Sequence, residues 1–257
     1  MIGDARAVRG GTLVVARDAS DLARRGADVV ASVAGKALED RGRFSIALAG
    51  GATPRALYEV LAADAGGTAR RIDWSRAHVF WGDERCVPPE HPDSNYRMAR
   101  EALLDRVPIP AAQVHRMRGE DPDPDRAAAL YESELRTALG AAAPEIPRLD
   151  LVLLGLGPDA HTASLFPGSA FLSGMAPLVA APYVEKLAAH RITLTPPVLN
   201  AASQVVFLVS GSAKASPLRD VLEGEVRPEL RPAQCVRPSP GALLWLVDAE
   251  AASRLRA

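Results

Sequence analysis

Cysteine is nearly missing from this chain: Cys86 and Cys235 are the only two in 257 residues, and their separation matches no metal-binding spacing. Free thiols in a reducing compartment are the expectation. An excess of charge of either sign is missing too, since 30 Lys and Arg stand against 31 Asp and Glu, for a formal net charge of -1. No global field therefore recruits nucleic acid or an anionic membrane, and any anion site must be built locally. No stretch approaches a membrane span, and the opening MIGDARAVRGGTLVVARD lacks the continuous apolar run of a signal peptide. Repeats and low-complexity tracts are absent as well. The expectation is a cytoplasmic protein forming one α/β domain over residues 1–257, long enough to bury a sizeable core.

What is present is an alternation of short apolar runs with amphipathic segments. Residues 12–16, 44–49, 78–81, 149–154, 178–181, 192–195, 205–209 and 242–247 read as strands, with a further short one at 114–117. Between them, Asp18 or Ser20 caps a long helix with Leu22, Val29, Val30, Val33, Ala37 and Leu38 on its apolar side. Pro54 is placed as the first residue of a helix through 61, and Asp93, Ser94 and Asn95 cap one holding Met98, Leu103 and Leu104. Helices at 125–139, near 196–202, after Lys214 and at 248–256 complete the pattern. Strands alternating with helices predict right-handed βαβ units, hence a Rossmann-like, mostly parallel sheet with helices on both faces.

In such sheets ligands bind beyond the carboxyl ends of the strands, so the polar residues there are the candidates for function. The strand at 149–154 is almost wholly apolar and runs into Gly155-Leu156-Gly157-Pro158-Asp159-Ala160-His161, delivering one imidazole and one carboxylate to that edge. The loop satisfies a loose dinucleotide-binding pattern. Its context is wrong: it lies mid-chain, Asp159 sits where a pyrophosphate would approach, and no acidic residue follows at ribose-binding distance.

Three other strand ends carry polar clusters. Gly50-Gly51-Ala52-Thr53-Pro54 is either a phosphate cradle at a helix N-terminus or a plain turn capped by Thr53, and without a GK[ST] ending it is no nucleotide P-loop. Asp83, Glu84 and Arg85 open a long, proline-rich loop through Asn95, either as functional groups or as a solvated charged turn. Lys214 follows Ser210-Gly211-Ser212-Ala213, either as a phosphate ligand or as a helix-surface lysine.

Taken together, GGATPRALYEVL, FWGDERCVPPEHPDSNYRMA, LLGLGPDAHTASLFPGS, RITLTPPVLNAA, VVFLVSGSAKA and GALLWLVDAEAA resemble the 6-phosphogluconolactonase family, within the sugar-phosphate enzymes that include glucosamine-6-phosphate deaminase. The resemblance covers nearly the whole chain. It implies hydrolysis of 6-phospho-D-glucono-1,5-lactone to 6-phosphogluconate in the oxidative pentose phosphate pathway, with no cofactor and no metal. It implies His161 as the base that deprotonates water, with Asp159, Asp83 and Arg85 as its catalytic companions: Asp159 either orients His161 or binds substrate hydroxyls, and Asp83, a catalytic carboxylate in the deaminase branch, either acts as such or only positions Arg85 or a sugar hydroxyl. Gly50, Gly51, Thr53, Arg55, Arg85 and Lys214 are the implied phosphate ligands, Arg85 serving either the phosphate or the developing oxyanion. A single imidazole titrating near neutrality can both remove the proton from water and return one to the ring oxygen. Two positions depart from many relatives: Ala160 stands where glycine is frequent, and Ala52 where serine is.

Two other readings accompany it. Amino-sugar-phosphate deaminases carry a glutamate a few residues beyond the loop histidine, whereas Thr162-Ala163-Ser164-Leu165-Phe166-Pro167 holds no carboxylate. Non-catalytic sugar-phosphate sensors carry an added DNA-binding segment, for which there is no room before the strand at Thr12. The expected partner is the small-molecule lactone, with no nucleic acid and no membrane; the oligomeric state is open, the monomer slightly favoured.

Overall fold

A computed structural model describes residues 5–63, 72–172 and 175–256. The strands are β1 (Ala5–Val8), β2 (Gly11–Ala16), β3 (Phe44–Leu48), β4 (Ala77–Trp81), β5 (Asp83–Arg85), β6 (Leu151–Leu154), β7 (Val179–Ala180), β8 (Tyr183–Val184), β9 (Ala189–Leu194), β10 (Gln204–Val209) and β11 (Ala242–Asp248). The helices are α1 (Ala19–Arg41), α2 (Ala52–Ala62), α3 (Asn95–Ala102), α4 (Pro124–Leu139), α5 (Pro196–Ala201), α6 (Ala215–Leu222) and α7 (Ala249–Ala252).

Seven strands form the main sheet in the order β1-β2-β11-β10-β6-β3-β4, parallel except where β1 folds back on β2. Every residue of β3 and β6 is buried, which requires cover on both faces and explains why these runs are continuously apolar rather than alternating. α1 packs on α2 and reaches β2, β3, β10 and β11. The contact between the two helices is close enough that a Cβ on Gly26 would come within 2.4 Å of the Leu57 side chain.

The connections place the site. From β3 the chain passes through α2 to β4 on one side, while from β6 it goes on to β10 and β11 on the other. Neighbouring strands β3 and β6 therefore send their exits apart and leave a crevice at their carboxyl ends. One wall of it is a second, antiparallel sheet of order β5-β9-β7, with β8 paired to β9 and α4 packed against β7 and β9.

The architecture is the one the alternation predicts, and several local expectations are corrected. α2 begins at Ala52 rather than Pro54, because Gly51, at φ 103, takes the cap position and Thr53 caps nothing. Asp83, Glu84 and Arg85 form a strand instead of a loop, since β9 supplies a partner about 100 residues away that no local pattern announces. Val114 makes only an isolated bridge to Val79, α3 ends before Leu103, and the last helix stops at Ala252. β1 escapes the sequence pattern because its residues are exposed or half-buried and form no apolar run.

Two buried tyrosines secure the strand ends that border the crevice. The Tyr58 hydroxyl, from α2, accepts from Ala49 N at 2.9 Å and donates to Ala49 O at 2.8 Å, just past β3. Tyr131, from α4, accepts from Trp81 N at 2.8 Å and donates to Trp81 O at 3.3 Å at the end of β4. Tyr58 satisfies backbone groups just past the end of β3, and Tyr131 those of the last residue of the edge strand β4, both buried. Tyr58→Phe should therefore cost about 1–3 kcal/mol, the desolvation of an unpaired buried peptide group. The expected result is a lower urea midpoint with an unchanged m-value.

Candidate active site

The crevice is a cavity of about 440 Å³ whose lining includes Gly50, Gly51, Asp83, Arg85, Gly157, His161, Lys186, Arg191 and Lys214. Another cavity, of about 450 Å³, lies between α4 and the 112–118 segment at the start of β4, away from the strand exits. The chemistry gathers in the first.

His161 stands on the 155–161 loop, which folds back on itself. Gly157 N donates to His161 O at 2.8 Å and Ala160 N to Gly157 O at 3.1 Å, closing a tight turn. The closure brings the imidazole so near the backbone that a Cβ on Gly157 would lie 2.0 Å from the ring, so only glycine fits there. No helix follows this loop, and the dinucleotide pattern therefore lacks its structural context. Asp159 Oδ1 lies 2.5 Å from His161 Nδ1, and its other oxygen accepts from Lys186 Nζ. With Nδ1 so occupied, the remaining ring nitrogen, Nε2, is the one available to a ligand. Phe166 packs against the imidazole with ring centroids 4.2 Å apart.

Electrostatics set the two groups apart. Burial lowers the His161 pKa below the ordinary imidazole value, and this outweighs the opposite effect of the Asp159 hydrogen bond and charge. Burial would raise Asp159, yet hydrogen bonds from Lys186 and His161 hold it at about 2. The pair at neutral pH is thus a carboxylate orienting a neutral imidazole.

Strand alternation sorts the Asp83-Glu84-Arg85 triplet. Residues i and i+2 share a face, so Asp83 and Arg85 both reach the cavity while Glu84 turns inward. The Glu84 carboxylate is buried at the start of α3, where it accepts from Asn95 N and Tyr96 N at 2.7 Å each and from Ser94 Oγ at 3.1 Å. It caps the first turn of that helix, and burial pushes its pKa above the ordinary carboxylate value against the pull of those backbone hydrogen bonds. Asp83 accepts from Ser164 Oγ at 2.7 Å, tying the loop beyond His161 to the wall. Arg85 Nη1 donates to Asp93 O at 2.6 Å.

Across β5 and β9, Arg85 stands opposite Arg191. Facing residues on an antiparallel pair share a side of the sheet, and like charges there repel, an arrangement expected where an anion is to be bound. Burial and the Arg85 charge both lower the Arg191 pKa. On the opposite side of β6, Lys214 lines the cavity from the turn after β10, and burial lowers its pKa too. The first turn of α2 carries no side-chain cap, leaving its N–H groups open to an anion beside Gly50 and Gly51.

The structure thus brings together His161, Asp159, Asp83, Arg85, Gly50, Gly51 and Lys214. Thr53 and Arg55 are not among the cavity-lining residues, and exposed Arg55 pairs with Glu59 at 3.0 Å on the outside of α2. Sequence reasoning misses Lys186, Arg191 and Asn95. No spacing marks the first two, because only the pairing of β9 with β5 and β8 brings them in. Asn95 reads in the sequence as a helix cap; it contacts Asp83, and a Cβ on Gly50 would strike its side chain at 1.9 Å. Among the described residues, no group of three or more His, Cys, Asp or Glu is placed to hold a metal ion.

The protein is thus of the α/β class with a crevice at a switch point of a parallel sheet, a carboxylate-held imidazole on one loop and cations on the others. The chain belongs to the glucosamine-6-phosphate isomerase/6-phosphogluconolactonase family, whose model matches residues 17–245. It is 44% identical to the 6-phosphogluconolactonase of Nostoc sp. over 95% of this chain and 98% of that one. It is 45% identical to that of Synechocystis sp. over 86% and 88%. The solved 6-phosphogluconolactonase from Trypanosoma cruzi superposes with a TM-score of 0.83 at 28% identity, covering 98% of this chain and 99% of the other.

Ala160 adopts φ 62, the left-handed conformation that alanine resists. Ala160→Gly should raise stability by about 1 kcal/mol, which for a chain of this size is a Tm increase of roughly 3 °C. Differential scanning calorimetry measures it directly; an unchanged or lower Tm would show that the loop carries no strain at this position.

Proposed function

We infer that this protein hydrolyses 6-phospho-D-glucono-1,5-lactone to 6-phospho-D-gluconate, the lactone-opening step of the oxidative pentose phosphate pathway. The observation that carries the inference is the Asp159–His161 pair facing a crevice lined with cations, in a chain 44% identical to a 6-phosphogluconolactonase over nearly its full length. We place the substrate phosphate at the sheet edge, between Gly50 and Gly51 at the β3 exit and Lys214 beyond the β10 exit. A dianion held by backbone N–H groups and an ammonium leaves the sugar ring little freedom. The ring then extends toward His161, on the loop leaving β6, the strand that lies between those two exits.

The chemistry follows from the protonation states. Neutral His161 takes a proton through Nε2 from a water attacking the C1 carbonyl, and Asp159 stabilises the imidazolium that forms. The imidazolium then returns the proton to the ring oxygen as the C1–O bond breaks. Arg85 and Arg191 supply positive charge to the phosphate or to the oxyanion at C1. Asp83, tied to Ser164 and Asn95, holds this wall in register. The low cysteine count supports a reducing, cytoplasmic setting.

The test is the disappearance of freshly generated 6-phosphogluconolactone beside unphosphorylated gluconolactone, with glucosamine 6-phosphate and an ammonia readout as the control for deaminase chemistry. Acceleration confined to the phosphorylated lactone is expected; ammonia release at a catalytic rate, or binding of 6-phosphogluconate with no turnover, contradicts the reading. His161→Ala should lower kcat by roughly 10²- to 10⁴-fold with a much smaller change in KM. Lys214→Ala should raise KM for the phosphorylated lactone by about 10- to 100-fold and erase selectivity over the unphosphorylated one. A base works only when unprotonated, and the His161 pKa is lowered. The acid limb of kcat/KM should therefore have its midpoint below the ordinary imidazole value of 6.5 and be flat above it.

A further inference from the structure

The turn joining β8 to β9 reaches over the site and puts one exposed lysine against both groups that flank His161. Lys186 Nζ donates to Asp159 Oδ2, the carboxylate oxygen His161 does not use. The same ammonium lies 4.4 Å from the centroid of the Phe166 ring, which packs on the imidazole at 4.2 Å. Lys186 and its neighbour Leu187 line the cavity, and the turn closes through Ala188 at φ 47. Its base is fixed, because Val184 pairs with Ala189 and β9 continues along β5 to place Arg191 beside Arg85.

We propose that Lys186 is a positioning residue for the lactone hydrolysis, fixing the Asp159 carboxylate against His161 and taking up part of its charge. The inference rests on His161 being the base of that reaction. A lone aspartate 2.5 Å from an imidazole holds the ring in place and also favours its protonated form, which cannot accept a proton. A cation on the far carboxylate oxygen keeps the first effect and offsets the second. The charged groups facing His161 are few: Asp159 on its own loop, Lys186 from the β8–β9 turn and Asp83 from β5. Lys214, after β10, acts on Asp159 from farther off, and Arg85 and Arg191 line the same cavity. Of these, only Lys186 shares a carboxylate with the imidazole.

The test uses Lys186→Met, which keeps the stem over Phe166 and removes the charge, and Lys186→Arg, which keeps both. Proton NMR follows the His161 imidazole through a pH titration, its resonance identified by its loss in His161→Gln, and kcat/KM for 6-phosphogluconolactone is measured over the same range. In Lys186→Met the His161 midpoint should rise by roughly 0.5–1 pH unit, and the acid limb of kcat/KM should rise with it. Lys186→Arg should leave both where they are in the parent protein, and the Lys186→Met shift should shrink as salt is raised, because the lysine is half-exposed. An unmoved NMR midpoint in Lys186→Met, with the parent protein active on the lactone, overturns the proposal. A moved midpoint in a protein with no lactone turnover keeps the Lys186–Asp159–His161 coupling and removes the lactonase reading instead.

Discussion

The hydrogen bond between Asp159 and His161 is the contact on which the site depends. It fixes which imidazole nitrogen faces the crevice, and it exists only because the 155–161 loop turns tightly enough to bring residue 161 back over residue 157. That turn needs a glycine where the ring passes and a left-handed residue one position before the histidine. Alanine occupies the second of these, so the loop accepts local backbone strain in exchange for the position of the ring. The rest of the structure serves the same geometry: β6 sets where the loop begins, β9 and Ser164 brace its far side through Thr193 and Asp83, and Phe166 covers the imidazole.

The crevice itself follows from topology. Because β3 and β6 are adjacent but lead to opposite sides of the sheet, no connection crosses the gap between their exits. The gap is lined by backbone donors and cations, whereas several arginines elsewhere sit against carboxylates: Arg41 with Asp150, Arg97 with Glu101, Arg116 with Glu120. Arg85 and Arg191 stand opposite each other across β5 and β9, and both line the cavity. Such local concentration of charge is what the overall composition could not show.

How much is legible in the sequence depends on how local the cause is. The sheet and most helices are readable because buried parallel strands leave continuous apolar runs and because caps such as Asp18 and Ser94 announce themselves. His161, Asp159 and Lys214 are readable because each follows directly from a strand end. Glu84 stands out in the sequence as part of a charged triplet at such an end, yet nothing in the triplet itself says that strand alternation turns the middle residue away to cap α3. Lys186 and Arg191 are invisible, since their place in the site depends on β9 pairing with β5 and β8, a long-range event with no signature in spacing. Arg55 shows the converse, a cation close in sequence to the Gly50 loop that the helix carries outward to Glu59.

The proposed binding mode is an orientation: a sugar phosphate held by its phosphate at the sheet edge, with its C1 end at His161. A crystal structure of the complex with 6-phosphogluconate measures it most directly. The phosphate is expected within hydrogen-bonding distance of the Gly50–Gly51 backbone and Lys214 Nζ, with the C1 carboxylate facing His161 Nε2. A ligand bound the other way round, with its phosphate on His161 and its carboxylate at the glycine loop, would contradict it.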